Sequence, residues 1–397
     1  MDVSRLCSAL VRIRSENPPG DTQGVIEYLF SYLDTLGVHS KMVEGEKGRW
    51  NLVSFPSPEG VLFCGHVDVV PARQEGWSHD PFSGDIEGEF VWGRGSSDMK
   101  GGCAAILSAL ETLLDEGRDP PVNLAFVCDE ETGGRSGIRH LLAHHHIRSG
   151  DCIVAEPTPL LNPSVGQKGL CRMNITFDGV PGHASLHPII GRSAIMDAVR
   201  FIEYLQALHR REYRVDGEMG ALIDRSAEVL GSIFGVEGVQ QVLTHITFNP
   251  GVIRGGEKVN IIAQHCHLEL DLRIPWGCRV DSLVEKIRNS VPNGRLQIVD
   301  CSDPNITSPE EEIVQTLCSE IERACGKAPQ PIVQWAASDA KFLRKAGFQV
   351  VEYGPGDLTT LHGVDERVPI SALETAADIY AGVMRRYRGK KKIRDIC

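Results

Sequence analysis

Asp129, Glu130 and Glu131 follow the apolar run Val122–Val127 almost directly, in VNLAFVCDEETGG. Three carboxylates at the mouth of a buried strand repel one another. A positive charge must sit between them, or one must stay protonated. A lone acidic triplet is more often a solvated turn, but here the pattern recurs. His66 and Asp68 follow the run Val61–Cys64, Glu156 follows Cys152–Val154, and His362 follows Gln349–Tyr353. Asp98, in GRGSSDMKGG, stands just ahead of a helical stretch. The plain reading of Asp98 is a helix cap, worth about 1 kcal/mol.

Taken together, His66, Asp98, Glu131, Glu156 and His362 are two imidazoles and three carboxylates. One zinc ion prefers four ligands, so five fit a single ion poorly. Two ions sharing a bridging carboxylate use all five. Each then takes one histidine, one terminal carboxylate and half of the bridge, with a shared water completing the set. Two metals about 3.5–4 Å apart form a recurring hydrolytic unit that lowers the pKa of bound water toward about 7 and polarises a carbonyl. Glu130, adjacent to Glu131, is free to act as the base that takes the water's proton. Asp68, two residues after His66, points the same way on an extended chain and can hold the second imidazole nitrogen.

The elements that must position these groups alternate. Helices are expected over Val3–Arg14 and Thr22–Leu36, strands near Trp50–Phe55 and over Val61–Cys64, and a hairpin over Asp85–Trp92. A long helix over Met99–Glu116, the strand Val122–Val127, a helix over Gly137–His146 and the strand Cys152–Val154 continue a β-α-β rhythm, which implies a parallel sheet. The carboxyl ends of such strands are where ligands bind. From about Leu170 the rhythm changes. The strand Arg172–Asp178, a helix over Ser193–Arg210, a polar irregular stretch, the strands Thr244–Asn249 and His265–Ile274, a helix over Asp281–Val291 and the strand Arg295–Val299 make a β-α-β-β-α-β order. That is the ferredoxin-like split pattern of a smaller inserted α+β domain. After Pro304 the α/β rhythm returns through Arg388.

At 397 residues, two domains are expected. A net charge of −12 argues against a nucleic-acid partner. No run of 18 apolar residues appears, so no membrane span is expected. The N-terminus reads as a first helix rather than a secretory leader, and the basic tail Arg385–Lys392 as a solvated chain end. The twelve cysteines are scattered without a CxxC pair and read as small buried hydrophobes of a reducing compartment, the cytoplasm. His144-His145-His146, with no acid nearby, reads as a solvated helix end.

The segments HVDVVP, GRGSSDMKGG, DEETGG, AEPT and LHGVDE, in this order, resemble the dinuclear-zinc metallopeptidase and deacylase family. That family includes acetylornithine deacetylase, succinyl-diaminopimelate desuccinylase, aminoacylase and the glutamate carboxypeptidases. The resemblance covers nearly the whole chain. It implies an α/β fold: a zinc-peptidase-like catalytic domain (1–171 and 303–397) with a mostly parallel sheet flanked by helices, and an inserted ferredoxin-like lid and dimerisation domain (172–302). It further implies that His66 and Glu156 hold one zinc, that Glu131 and His362 hold the other, and that Asp98 bridges them. Glu130 is then the general base, Asp68 supports His66, and the Asp98–Met99 peptide is cis.

In the inserted domain, GVPGHAS resembles the family's segment whose histidine, here His183, reaches a neighbouring subunit's site and stabilises an oxyanion. Asn260 and Arg273, thirteen positions apart, match the residues that contact substrate. An arginine fork suits a free carboxylate, although a structural ion pair is the plainer reading of Arg273. The expected activity is hydrolysis of the amide of an N-acyl amino acid with a free carboxylate, by a homodimer holding two divalent ions. Those ions are zinc first, with cobalt or manganese also suited to such ligands. A dipeptidase or carboxypeptidase of the same family is the first alternative. A non-catalytic metal-binding interaction protein is a second, but that reading calls for a lost base or ligand, and none is lost.

Overall fold

The computed structural model describes residues 2–55, 57, 60–148 and 150–387. The chain divides into two compact units. The first comprises Met1–Val165, Thr307–Ile332 and Ser338–Cys397; the second comprises Gly166–Ile306 and Val333–Ala337.

The first unit is built on a mixed sheet. Its strands run in the order Lys41–Glu46, Arg49–Ser54, Val122–Val127, Val61–His66, Asp151–Val154, Gln349–Glu352 and Ser164–Gln167. The four strands from Val122–Val127 to Gln349–Glu352 are mutually parallel, and antiparallel strands flank them. Val61–His66, Val122–Val127 and Asp151–Val154 are buried at every position. That explains their unbroken apolar runs, since a parallel sheet covered on both faces needs no polar alternation. Alternate side chains serve opposite faces. Leu62, Cys64, Ala125, Val127, Cys152 and Val154 pack with Ile138 and Leu141 of the helix Ile138–Ala143 and with Ala340 and Leu343 of the helix Ala340–Lys345. Phe63 turns the other way and meets Tyr380 of the helix Ile370–Arg386 edge-on at 5.3 Å. That helix packs on Gly101–Asp115. Gly102 lets the start of Gly101–Asp115 press on the end of a strand, because a Cβ there would lie 2.3 Å from the Ala155 carbonyl oxygen.

The second unit is a four-stranded antiparallel sheet in the order Thr247–Gly255, His265–Ile274, Gly169–Asp178, Gly294–Ser302. Helices Ala194–His209 and Val280–Ser290 share its core, through Phe201, Leu205, Leu283 and Ile287. This is the ferredoxin-like order expected from the sequence. The strand after the helices runs on to Gly255 rather than stopping at Asn249. It is an edge strand with a register shift between Pro250 and Val252, and such a position tolerates proline.

Three further sequence expectations need correction. The stretch read as polar and irregular contains the helices Gly217–Phe234 and Val239–Thr244. Gly217–Phe234 buries Leu222, Ile223, Ser226, Ala227 and Leu230 at helical spacing, and what disguises it is low intrinsic helix propensity at Gly217, Gly220 and Gly231. The helix expected over Gly137–His146 is limited to Ile138–Ala143. The cysteines are not all unpaired: Cys171 and Cys301 face each other on neighbouring strands and form a disulfide. Nine others among the described residues are free. Positions 388–392 of the basic tail lie outside the described residues. Among the described residues no helix is long and apolar enough to cross a membrane.

Candidate metal centre

The strand order decides the site. Val61–His66 lies between Val122–Val127 and Asp151–Val154, all parallel, so His66 emerges with an acidic segment on either side. Gln349–Glu352 is the next parallel strand, and the loop beyond it carries His362. Asp98 comes from the segment before the helix Gly101–Asp115. There its backbone is non-helical (φ −121°, ψ 93°) and the Asp98–Met99 peptide is cis.

Two ligand groups result: His66, Asp98 and Glu156, and Asp98, Glu131 and His362. Within each, one potential donor atom per residue lies within 4.8 Å of the others. His66 Nε2 is 3.0 Å from Asp98 Oδ1 and 3.8 Å from Glu156 Oε1. His362 Nε2 is 3.2 Å from Asp98 Oδ2 and 3.4 Å from Glu131 Oε2. Asp98 thus offers one carboxylate oxygen to each group. His66 Nδ1 donates to the backbone carbonyl of Asp68 at 2.9 Å, which turns the Nε2 lone pair toward the acids.

The electrostatics describe a cation-seeking site. Burial pushes the carboxyls of Glu130 and Glu156 well above the usual range and raises that of Glu131. Burial also opposes ionisation of Asp98, but hydrogen bonds from His362 and His66 overcome it and hold that carboxyl low. His362 is pushed up to about 10, first by its hydrogen bonds to Asp98 and Glu131. Burial disfavours the charged form of His66, yet Asp98 and Glu156 raise it well above its ordinary value. Glu131 Oε1 is buried with no hydrogen-bond partner. A buried acceptor without a donor fits a divalent cation held by Asp98, Glu131 and His362, and the carboxylates of Asp98 and Glu156 beside His66 suit a second.

Asp68 does more than expected, and differently. Its side-chain oxygen is 3.6 Å from His66 Nδ1, farther than its own carbonyl oxygen. The carboxylate instead accepts the backbone N–H of Glu130 (3.1 Å) and of Glu131 (3.2 Å), and the Asn17 amide (2.9 Å). It therefore holds the turn that carries the candidate base. Asp129, left-handed at φ 76°, begins that turn and is secured by Arg49 (2.8 Å), the Ser136 N–H (2.7 Å) and the Thr132 hydroxyl.

Asn17, Arg49, Arg94 and Glu366 were not singled out from the sequence. Two of them had a signal: Arg94 lies in the GRGSSDMKGG segment that contains Asp98, and Glu366 closes the LHGVDE segment that contains His362.

His183, Asn260 and Arg273 belong to the second unit. His183 and Asn260 are neighbours there: His183 bridges to Ile261, and the Ala184 N–H donates to the Asn260 carbonyl at 3.2 Å. His183 Nδ1 lies 2.7 Å from the Ser185 hydroxyl. Arg273 forms an ion pair with Asp271, Nε to Oδ1 at 2.8 Å and Nη2 to Oδ2 at 3.3 Å. His140, His144 and His146 gather their rings within 6.4 Å of one another. They form no ligand group, and among the described residues only the two groups above qualify.

The chain matches peptidase family M20/M25/M40 over residues 62–386. It is 30% identical over 400 residues to acetylornithine deacetylase of Vibrio vulnificus, covering 98% of both chains. It is 29% identical over 401 residues to succinyl-diaminopimelate desuccinylase of Helicobacter hepaticus, covering 94% of this chain and 95% of that one. Its fold is shared with an M20 metallo-carboxypeptidase from Sulfolobus solfataricus, at a TM-score of 0.81 and 20% identity over 98% of this chain and 99% of that one.

Proposed function

The chain belongs to peptidase family M20/M25/M40, and we propose from this that it is a metal-dependent amidohydrolase that cleaves the amide of an N-acyl amino acid bearing a free carboxylate. The names of its relatives, acetylornithine deacetylase and succinyl-diaminopimelate desuccinylase, support that substrate class. The observation that carries the reading is the pair of ligand groups sharing Asp98, with Glu130 next in the chain to Glu131.

In this reading His66 and Glu156 hold one ion, Glu131 and His362 the other, and Asp98 both. The nitrogen and oxygen donors suit zinc, and also cobalt or manganese. When bound, two such ions acidify water and polarise a carbonyl. Glu130 takes a proton from the attacking water and passes it to the leaving amine as the C–N bond breaks and a C–O bond forms. Asp68 keeps Glu130 aimed by accepting the backbone N–H groups on either side of the Glu130 Cα. Asn260 and Arg273 contact the substrate, Arg273 through the substrate's carboxylate.

His183 is the proposed oxyanion group, delivered across a homodimer by a second copy of the chain. Residues 172–302 act as lid and dimerisation domain in this reading. In this reading the dimer would cover apolar side chains that stand exposed in the second unit, such as Ile189 (90%) and Val259 (103%). The proposed location is the cytoplasm, where the nine free thiols among the described residues stay reduced; the Cys171–Cys301 pair stands against it.

A hydrolysis screen of the metal-loaded protein tests the reading, over N-acetyl and N-succinyl amino acids, their carboxamides and dipeptides. Turnover of N-acyl amino acids that is lost when the free carboxylate is amidated is expected. Preference for dipeptides moves the assignment to the peptidase alternative. No turnover of any of them sinks the hydrolase reading.

A further inference from the structure

The loop carrying Asp98 and the loop carrying His362 are tied by a buried ion pair that the proposed chemistry does not use. Glu366 is fully buried. Its Oε1 accepts three backbone N–H groups, from Gly95 at 2.9 Å, Ser97 at 3.1 Å and Asp98 at 3.1 Å. Three converging N–H dipoles make a positive concavity that a carboxylate oxygen fills. Its Oε2 pairs with Arg94 Nη1. Arg94 Nη2 then donates to the His362 carbonyl at 3.3 Å and the Gly363 carbonyl at 3.0 Å. The Ser97 hydroxyl adds a second tie, accepting from Asp357 N–H at 2.8 Å and donating to the Arg367 carbonyl at 2.7 Å, but it does not reach the His362 peptide.

The ligands differ in what else holds them. His66 ends a central strand, and Glu156 lies just beyond the adjoining one, so the sheet places both. Glu131 is held by Asp68. His362 sits in a loop, left-handed at φ 59° and half exposed, so its position depends on contacts to its backbone. Arg94 supplies such a contact, and Glu366 connects it to the peptide of Asp98.

We infer that Glu366 and Arg94 are positioning residues that set the separation of Asp98 and His362. They thereby govern affinity for the ion held by Asp98, Glu131 and His362. The inference rests on the two-ion reading above. Removal of groups that orient metal ligands typically costs about 10–100-fold in affinity.

The test loads the wild-type chain, E366Q and R94K with zinc, lowers free zinc with a graded chelator, and counts ions per chain by mass spectrometry. E366Q keeps an acceptor but loses the charge. R94K keeps the charge but cannot reach Glu366 and two carbonyls together. Each variant should release one ion at about 10–100-fold higher free zinc than wild type, and the other at the wild-type midpoint. Circular dichroism of the metal-free proteins should be superimposable. His362→Ala should weaken the same ion, and adding E366Q to it should cost little more. Unchanged release of both ions, parallel loss of both, or additive effects with His362→Ala overturns the inference. If E366Q does not fold, R94K alone decides. A wild-type chain that holds a single ion overturns the two-ion reading and this inference with it. Two wild-type ions with unmoved variants overturn only this inference.

Discussion

Replacing Asp68 by asparagine separates two roles that a carboxylate beside a histidine could play. In the structure Oδ1 accepts the Glu130 N–H, while Oδ2 accepts the Glu131 N–H and the Asn17 amide. Asparagine offers one oxygen. Placed at the Oδ2 position, it keeps Glu131 and Asn17 satisfied and turns an NH₂ toward the Glu130 N–H. The opposite orientation leaves two donors unpaired, so the first is favoured. One buried N–H then loses its acceptor, at about 1–3 kcal/mol, and the surviving bonds fall from charge-assisted to neutral strength. The loss concentrates at Glu130, whose carboxyl must be aimed at water. A misplacement worth about 1.4–2.7 kcal/mol at the transition state lowers kcat about 10–100-fold. The metals should be spared, because Glu131 keeps its contact and His66 Nδ1 is held by the Asp68 carbonyl, which asparagine retains. The assay is kcat on an N-acyl amino acid alongside ion counts per chain. Unchanged kcat would refute the idea that Asp68 holds the base. A kcat loss matched by loss of one ion would show instead that the carboxylate itself supports His66.

Glu130→Gln should keep wild-type metal content and lose about 10²–10⁴-fold in kcat, the usual contribution of a general base; near-normal turnover removes Glu130 from the mechanism. Co-expressing inactive Glu130→Gln with inactive His183→Ala should restore activity, because a mixed dimer then holds one site with both groups intact. A mixture as inactive as its parts argues that the oxyanion is held within one chain. Lys168 gives a pH test of stability. Burial, with Arg273 adding to it, holds its amine down to about 7, against 10.5 for the free side chain. Between these values the unfolded chain binds more protons, so this penalty is full below about pH 7 and fades as pH rises toward 10.5. Urea unfolding at pH 7, 8 and 9 should therefore show wild type gaining on Lys168→Met by at most about 1.4 kcal/mol per pH unit; parallel curves refute the depressed value.

The sequence by itself determined which residues could meet a metal. Buried parallel strands write themselves as unbroken apolar runs, and the polar residue just past each run lies at the ligand-binding edge of the sheet. His66, Glu131, Glu156 and His362 were legible for that reason. His183, Asn260 and Arg273 were legible only as parts of motifs that resemble a family. The tertiary structure decided the sheet order, which sets His66 between two acidic segments and lets Asp98 present one oxygen to each histidine. It also decided what steadies these groups. Arg94 and Glu366 are 272 positions apart, and Asn17 and Asp68 are 51 apart, so no local pattern links them. Cys171 and Cys301 meet because of strand register across a separation of 130 residues. Asp68, found by its spacing from His66, does lie against that imidazole, but its contact with the turn of Glu130 and Glu131 arises only once the two strands pair. Local periodicity reports which face of an element is buried; what lies against that face is set by pairings between distant segments.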